Sequence, residues 1–273
     1  MKIACVQCNV AFGDPMTNLD FLRKKVAALR SEAVDFIVFP ECFLTGYCFG
    51  SYEEALSHSL EKDIDPILRN VQAISDESGA WILVGYAARE GEQLFNLATV
   101  FAPNQSPMTY AKAHLPELGF DRFVTVGEEL PVFDTPWGRI GIQICFDLRH
   151  PEPFRILALE GADLIILPTN WPIGAEFAAD MIAPVRAVEN KTFMATCNRV
   201  GEENSFGFIG KSKIISPQGQ IIAAAINDEE VDLIADLNLI DARNKRNVVR
   251  PGEHETTIFE SRRPELYERL TQG

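Results

Sequence analysis

The 273-residue sequence has no long hydrophobic run and no excess of positive charge. No apolar stretch approaches the ~20 residues that span a bilayer, so we expect no membrane insertion. The 39 Asp and Glu residues outnumber the 25 Lys and Arg residues, and the formal net charge is −14. Because such a surface repels phosphate groups and anionic lipids, we expect neither nucleic acid nor a membrane among the partners.

Features of an exported or disulfide-stabilised protein are also missing. Six cysteines are too few to build a disulfide scaffold in a chain of this length. The segment 1–8 lacks the apolar core and cleavage site of a signal peptide, and its pattern predicts a strand instead. We therefore expect a cytoplasmic protein with free thiols.

What the sequence does contain is an alternation of short apolar runs with amphipathic stretches, which predicts an α/β protein. Helices are predicted to start at Asp14-Pro15 and Asp65-Pro66, and near Pro151 and Phe177. The predicted strands are mostly apolar without strict alternation, as in sheets that are covered on both faces. They are 2–8, 35–39, 80–87, 97–102, 108–113, 140–145, 164–167, 192–198, 212–216, 220–224 and 232–236.

A weak internal repeat divides these elements into two halves. The segments 34–40 and 162–168 resemble each other, and each is followed by a helix, an apolar strand and a hairpin. The similarity is also compatible with ordinary strand–helix–strand units. The more specific interpretation is two halves packed sheet against sheet with helices outside, a four-layer αββα sandwich. We predict one domain over 1–273, with an extended C-terminal arm from about residue 241.

Three predicted strands end beside residues that can carry out chemistry. Cys145 ends an apolar strand shortly before a helix, the setting of a nucleophile elbow in which the Phe146 amide faces a developing oxyanion. Glu41 follows a buried strand, where desolvation raises a carboxyl pKa and makes the group a usable base. Lys112 lies in or near an apolar strand, and its ammonium group can neutralise oxyanion charge.

Each of these residues also has an ordinary structural interpretation. Taken alone, Cys145 is more typical of a small buried hydrophobe, Glu41 of a capping residue and Lys112 of an edge-strand lysine in solvent. Their order along the chain, each at a strand end, is much more specific than any one of them.

Together these motifs resemble the nitrilase superfamily of carbon–nitrogen hydrolases along nearly the whole chain. The resemblance implies an αββα fold, a Glu-Lys-Cys triad, no metal or organic cofactor, and pairing of subunits into homodimers or higher oligomers. Glu41 then matches the general base, Lys112 the oxyanion-stabilising lysine and Cys145 the nucleophile. The matching blocks are FPE at 39–41, TGY at 45–47, YAKAHL at 110–115, GRIGIQICFD at 138–147, NWP at 170–172, RAVEN at 186–190, NRVG at 198–201, FIGKS at 208–212 and RPELY at 263–267.

The sequence departs from the family pattern at a second carboxylate. Many members carry another glutamate between the lysine and the cysteine, but the segment 115–123 offers no clean match. By its spacing to Cys145, Asp121 is the better stand-in, and Glu117 is the alternative. Because an Asp is one methylene shorter, the pocket would have to shift to keep the contact.

Four further residues are candidates for substrate binding. Arg149 is expected either to bind a substrate carboxylate or to form an ion pair with Glu152 or another acid. Asn170 and Trp171 follow a strand of the second repeat and are expected to border the pocket, with simple packing as the alternative for Trp171. Tyr47 is expected to form another wall.

The predicted function is cofactor-independent hydrolysis of a small amide or N-carbamoyl compound through a cysteine thioester. True nitrilase activity is less expected, because the short chain and the CFD context at 145–147 resemble the amidase and carbamoylase branches. Two other hypotheses stay open. One is a Cys–His hydrolase, for which four histidines are available. The other is a catalytically degenerate hydrolase fold that serves as a binding protein.

Overall fold

Two mixed β-sheets form the centre of the computed structural model, which describes residues 1–272. Gly273, the last residue of the predicted domain, lies outside the described part. The first half of the chain contains β1 (Lys2–Gln7), α1 (Pro15–Ser31), β2 (Phe36–Val38), α2 (Tyr52–His58), β3 (Leu60–Glu61), α3 (Pro66–Ser78), β4 (Trp81–Glu90), β5 (Gln93–Phe101) and β6 (Met108–Ala111). The second half contains β7 (Val132–Thr135), β8 (Gly138–Ile142), α4 (Pro151–Leu159), β9 (Leu164–Thr169), α5 (Ala183–Asn190), β10 (Phe193–Asn198), β11 (Glu202–Glu203), β12 (Phe206–Gly207), β13 (Lys213–Ile215), β14 (Ile221–Ala224), β15 (Val231–Asp236), β16 (Arg246–Arg250) and β17 (His254–Thr257).

The two large sheets repeat one topology. In the first, β1, β2 and β4 run parallel, and β5 and β6 continue the sheet antiparallel. In the second, β8, β9 and β10 run parallel, and β13 and β14 continue it antiparallel. Each sheet gains one antiparallel strand on its other side, β15 beside β1 and β7 beside β8. The predicted division into two similar halves is therefore confirmed.

The packing of side chains explains the four layers. In β1, Ile3 and Cys5 belong to a hydrophobic core shared with strands of the second sheet, such as β9. Ala4 and Val6 point to the opposite face and pack with the apolar sides of α1 and α3. On the far side of the second sheet lie α4 and α5, so the αββα sandwich predicted from the sequence is confirmed.

Helix capping accounts for two of the predicted helix starts. The Asp14 side chain accepts a hydrogen bond from the Thr17 amide, and Pro15 occupies the first turn of α1. Asp65 caps α3 in the same way by accepting from the Ile67 amide. These bonds satisfy amides that have no partner inside the helix. None of the helices in residues 1–272 is long and apolar enough to cross a membrane.

Several short elements differ from the sequence-based expectation. The strand predicted over 140–145 ends at Ile142, and Cys145 instead begins a 3-10 helix, Cys145–Arg149. The elements α2, β3, β7, β11 and β12 were not predicted, since each is short and depends on its partners. The region from about Asp241 contains the hairpin of β16 and β17. A hydrogen bond from Lys191 Nζ to Asn247 Oδ1 joins this hairpin to the end of α5.

Candidate active site

Glu41 lies just beyond the carboxyl end of β2, in a turn that reverses the chain. Its side chain is fully buried, and the next residue, Cys42, has a left-handed φ of 47°. Gly85 in β4 permits this turn, because a Cβ atom there would lie 2.6 Å from the Cys42 nitrogen and 2.8 Å from the Glu41 Cα. The absence of a side chain at Gly85 thus lets the Glu41 backbone pack directly on the sheet.

Lys112 follows β6, and its ammonium group is held between two carboxylates. Its Nζ donates to Glu41 Oε1 at 2.8 Å and to Asp121 Oδ2 at 2.5 Å, and all three side chains are fully buried. Asp121 comes from the 3-10 helix Gly119–Phe123, whereas Glu117 is exposed. Of the two candidates for a second carboxylate, Asp121 is therefore the one beside Lys112.

Asn96 joins the two carboxylates and was not predicted from the sequence. This fully buried side chain in β5 donates through Nδ2 to Glu41 Oε1 at 2.8 Å and to Asp121 Oδ1 at 2.9 Å. The only available indication was an asparagine inside the apolar segment 94–98. Because both amide hydrogens are engaged, Asn96 holds the carboxylates at a set separation.

Cys145 begins the 3-10 helix after β8 with a φ of 44°, in the left-handed region. This backbone is strained for a residue with a side chain, and such strain is typical of functional sites. The turn is braced by Asp147, which accepts from the Ile144 amide and the Tyr110 hydroxyl, both at 2.8 Å. Since Tyr110 lies in β6, Asp147 ties the Cys145 turn to the strand that precedes Lys112.

Burial shifts the pKa values of the reactive groups. It raises the pKa of the Cys145 thiol to about 12, with the Glu41 charge acting in the same direction. It also raises the pKa of Glu41 above its ordinary value. Burial alone would lower the pKa of Lys112, but the adjacent Asp121 and Glu41 charges outweigh it and raise that pKa. At neutral pH the site therefore combines a protonated thiol with a protonated lysine.

One oxygen of Glu41 is free to take part in proton transfer. Oε1 is held by Lys112 and Asn96, whereas the buried Oε2 has no hydrogen-bond partner. Buried polar atoms are rarely left unpaired in folded proteins. The side chain of Asn170, 1% exposed, is similarly unpaired at both its amide oxygen and its amide nitrogen. The site thus keeps unsatisfied acceptors and a donor that a bound molecule can engage.

The other predicted substrate-binding residues differ in their placement. Tyr47 is buried, and its hydroxyl donates to Asp121 Oδ2 at 2.8 Å. Asn170 lies beside the Cys145 sulfur, which its backbone amide approaches. Trp171 is 3% exposed within the hydrophobic core. Arg149 is exposed and forms no ion pair with Glu152 or any other acid in residues 1–272.

Possible metal ligands do not cluster in the described part of the chain. Over residues 1–272, no group of three or more His, Cys, Asp or Glu side chains could hold a metal ion. Cys5 lies in β1 and Cys8 directly follows that strand, and both are buried free thiols. The expectation of a reaction without a cofactor stays a prediction.

Comparison with known proteins assigns the family. The family model described as carbon–nitrogen hydrolase matches residues 2–247. The chain belongs to this family. Its relatives include a protein of Pyrococcus abyssi named nitrilase, with 34% identity over 98% of this chain and 99% of that protein. A 2-oxoglutaramate amidase of Bacillus subtilis is 26% identical over 97% of this chain and 98% of that enzyme.

The fold of this hydrolase also matches solved structures of the nitrilase superfamily. The crystal structure of an amidase from a Nesterenkonia species superposes with a TM-score of 0.80 at 24% identity, covering 99% of this chain and 96% of the other. The match to the family model and to the relative from Pyrococcus abyssi confirms the resemblance inferred from the motifs. The chain is a carbon–nitrogen hydrolase, an enzyme that acts on amide-type bonds.

Proposed function

We propose that this hydrolase cleaves the carbon–nitrogen bond of a small amide or N-carbamoyl compound, with Cys145 as nucleophile, Glu41 as base and Lys112 as oxyanion partner. The observation that carries the proposal is the unpaired Oε2 of Glu41. Because the Cys145 thiol has a pKa near 12, it needs a base to become the attacking thiolate. A buried carboxylate with a raised pKa and one free oxygen supplies that base.

In the first half of the reaction, Glu41 Oε2 takes the thiol proton and the Cys145 sulfur bonds to the substrate carbonyl carbon. The carbonyl oxygen becomes an oxyanion, which Lys112 Nζ and the Phe146 amide stabilise. Amides in the first turn of a helix have no intrahelical acceptor, and Phe146 is the second residue of its 3-10 helix. The carbon–nitrogen bond then breaks, and Glu41 returns the proton to the leaving amine.

In the second half, water hydrolyses the thioester. Glu41 takes a proton from the water as its oxygen bonds to the acyl carbon, and the same two donors hold the new oxyanion. The carbon–sulfur bond breaks, the acid product leaves, and the proton returns to Cys145. Two steps replace one difficult attack of water on an amide, which is why a sulfur nucleophile is useful here.

We assign Asp121 the role of the second carboxylate. Its Oδ2 accepts from Lys112 Nζ at 2.5 Å, and Asn96 bridges Asp121 and Glu41. The two carboxylates and the Lys112 ammonium group together carry a charge of −1 when both acids are ionised and the lysine is protonated. The lysine therefore keeps its proton throughout and acts as a fixed positive charge.

The burial of Cys145 limits the size of the substrates that the site can accept. Cys145 is only 9% exposed, so a large or folded substrate such as a protein chain cannot reach the sulfur without rearrangement. The unpaired carboxamide of Asn170 offers a donor and an acceptor that match a substrate amide. The relatives named 2-oxoglutaramate amidase and N-carbamoylputrescine amidase support the same substrate class.

The test is ammonia release from primary amides, ω-amides, N-carbamoyl compounds and nitriles. The wild type and a Cys8→Ala control, which removes a different buried thiol, should release ammonia from the same substrate. Cys145→Ala should reduce turnover to background. Wild-type turnover by Cys145→Ala would refute the mechanism. A wild type silent on the whole panel, with Cys145 also inert to iodoacetamide, would favour a degenerate fold that only binds.

We also propose that the hydrolase pairs with a second copy of itself through an exposed apolar face. Large apolar side chains recur at intervals of three or four residues along the helical segment 177–188, so they share one side of it. Such patches mark interfaces. The residues and their exposed fractions are Phe177 63%, Met181 54%, Val185 49% and Val188 38%, with Ile156 and Leu159 of α4 each at 43%.

Sedimentation velocity tests the pairing. Val185→Glu should shift the protein to monomer, whereas Met16→Glu, at an exposed position of α1, should leave the assembly intact. A monomeric wild type at micromolar concentration would contradict the proposal. We further propose a cytoplasmic location, because all six cysteines are free, and cell fractionation would test it.

A further inference from the structure

A buried ion pair between Arg199 and Glu203 has no part in the mechanism above. Neither side chain reaches solvent, and Arg199 Nη1 bonds to Glu203 Oε2. The guanidinium group is held from two other directions, because Nη2 donates to Asn9 Oδ1 at 3.2 Å and to the Val10 carbonyl at 3.3 Å. Burying such a pair is unfavourable unless further hydrogen bonds satisfy both ions.

The second oxygen of Glu203 is used to hold a loop of the first half of the chain. Oε1 accepts from the backbone amides of Tyr47 at 2.6 Å and Cys48 at 2.5 Å. The loop passes through Gly46, which has a φ of 83°. Its backbone is therefore fixed at adjacent residues by a charge that belongs to the other half of the sandwich.

Tyr47 connects this loop to the catalytic lysine. Its hydroxyl donates to Asp121 Oδ2, the oxygen that also accepts from Lys112 Nζ. The ring packs against Gly119, where a Cβ atom would lie 2.3 Å from it. Because the ring is buried and lies directly against Gly119, a shift of the Tyr47 backbone would change the contact between its hydroxyl and Asp121.

We propose that Glu203, held by Arg199, is a positioning residue that fixes Lys112 for oxyanion stabilisation through Tyr47 and Asp121. The inference rests on the proposed role of Lys112. A positioning role and a purely structural role predict different effects on turnover. A structural ion pair would affect the folded fraction alone, whereas a positioning pair changes the turnover of each correctly folded site.

The test is Glu203→Asp, which keeps the charge and shortens the reach to the loop amides by one methylene. Glu202→Asp, at the exposed neighbouring position, is the matched control. Rates are expressed per natively folded chain, quantified by near-UV circular dichroism, so that misfolded protein is not counted. A misplacement of about 1 Å can reduce a rate by ~100-fold, and we expect kcat to fall about tenfold or more with little change in KM. The control should match the wild type.

The decisive measurement is the same substitution in a Tyr47→Phe background, which removes the hydroxyl that reaches Asp121. If Glu203 acts through that hydroxyl, Glu203→Asp should reduce kcat by less than about threefold there, a clear departure from additivity. Equal losses in both backgrounds, or an unchanged kcat in the single variant, would overturn the inference. If Glu203→Asp does not fold, Asn9→Ala loosens Arg199 more gently and should show the same dependence on Tyr47.

These results are separable from failure of the proposed function. Wild-type turnover by Cys145→Ala would refute the assigned mechanism itself. An inactive Cys145→Ala together with a fully active Glu203→Asp would refute the positioning role alone.

Discussion

Replacement of Asp121 by asparagine tests the electrostatic design of the site most directly. The carboxylate receives three hydrogen bonds on its two oxygens, from Lys112, Tyr47 and Asn96. Asparagine has nearly the same shape but only one acceptor oxygen. Whichever way its amide turns, the NH2 group faces a donor, and at least one buried donor loses its acceptor.

The size of the effect follows from these bonds. A hydrogen bond to a charged group contributes about 1.5–3 kcal/mol, a neutral one about 0.5–1.5 kcal/mol, and an unsatisfied buried group costs about 1–3 kcal/mol. In Asp121→Asn, neutral hydrogen bonds replace charged ones and one buried donor is left unsatisfied. Together these changes weaken the interaction that positions Lys112 by about 2–4 kcal/mol. If all of it appears in the transition state, kcat/KM falls by about 30-fold to 1000-fold, at 1.36 kcal/mol per factor of ten.

An opposite effect competes with this loss. Removing the Asp121 charge leaves the Lys112 ammonium with one carboxylate instead of two, which makes it a stronger partner for an oxyanion. We expect loss of position to dominate, because the lysine must aim one N–H at the oxyanion and Asp121 lies only 2.5 Å from Nζ.

The assay is ammonia release by Asp121→Asn and by Glu117→Gln, with rates per natively folded chain. Glu117 is exposed, so its variant should stay within about twofold of the wild type, as surface substitutions away from special features usually do. A rate for Asp121→Asn equal to or above the wild-type rate would refute the argument. Equal losses in the two variants would refute it as well.

The structure supports three further predictions. Activity should fall with decreasing pH, because the proposed base Glu41 must be ionised to act. Since burial raises the pKa of Glu41, the midpoint should lie above the ordinary glutamate pKa of 4.5. A midpoint at or below 4.5 in the pH profile of kcat/KM would contradict this prediction. Gly85→Ala, whose Cβ would lie 2.8 Å from the Glu41 Cα, should reduce kcat by about tenfold or more, and Gly50→Ala, an exposed glycine at ordinary φ, should not. Leu164→Ala, in the core between the sheets, should lower the free energy of unfolding by about 2–5 kcal/mol in a denaturant titration, and a loss below 1 kcal/mol would contradict the assigned packing.

Local patterns were sufficient for the fold class because they act over a few residues. The Asp-Pro pairs at 14–15 and 65–66 start helices by satisfying amides within one turn, and both predictions are confirmed. Apolar strands without alternation indicated sheets covered on both faces, as found in β1 and β9. Short elements such as β7 were missed, since pairing with β8 rather than local preference stabilises them.

By itself, the sequence determined the two-halved αββα architecture and the family, and it singled out Glu41, Lys112 and Cys145 as residues worth testing. Only the tertiary structure places Asp121 rather than Glu117 beside Lys112 and reveals the bridging amide at position 96 and the ion pair at 199 and 203. The physical reason is distance along the chain. The Tyr47 amide, for example, bonds to a side chain 156 positions away in the sequence, at 203. Such a hydrogen bond depends on how the two sheets pack and leaves no periodic pattern in the sequence.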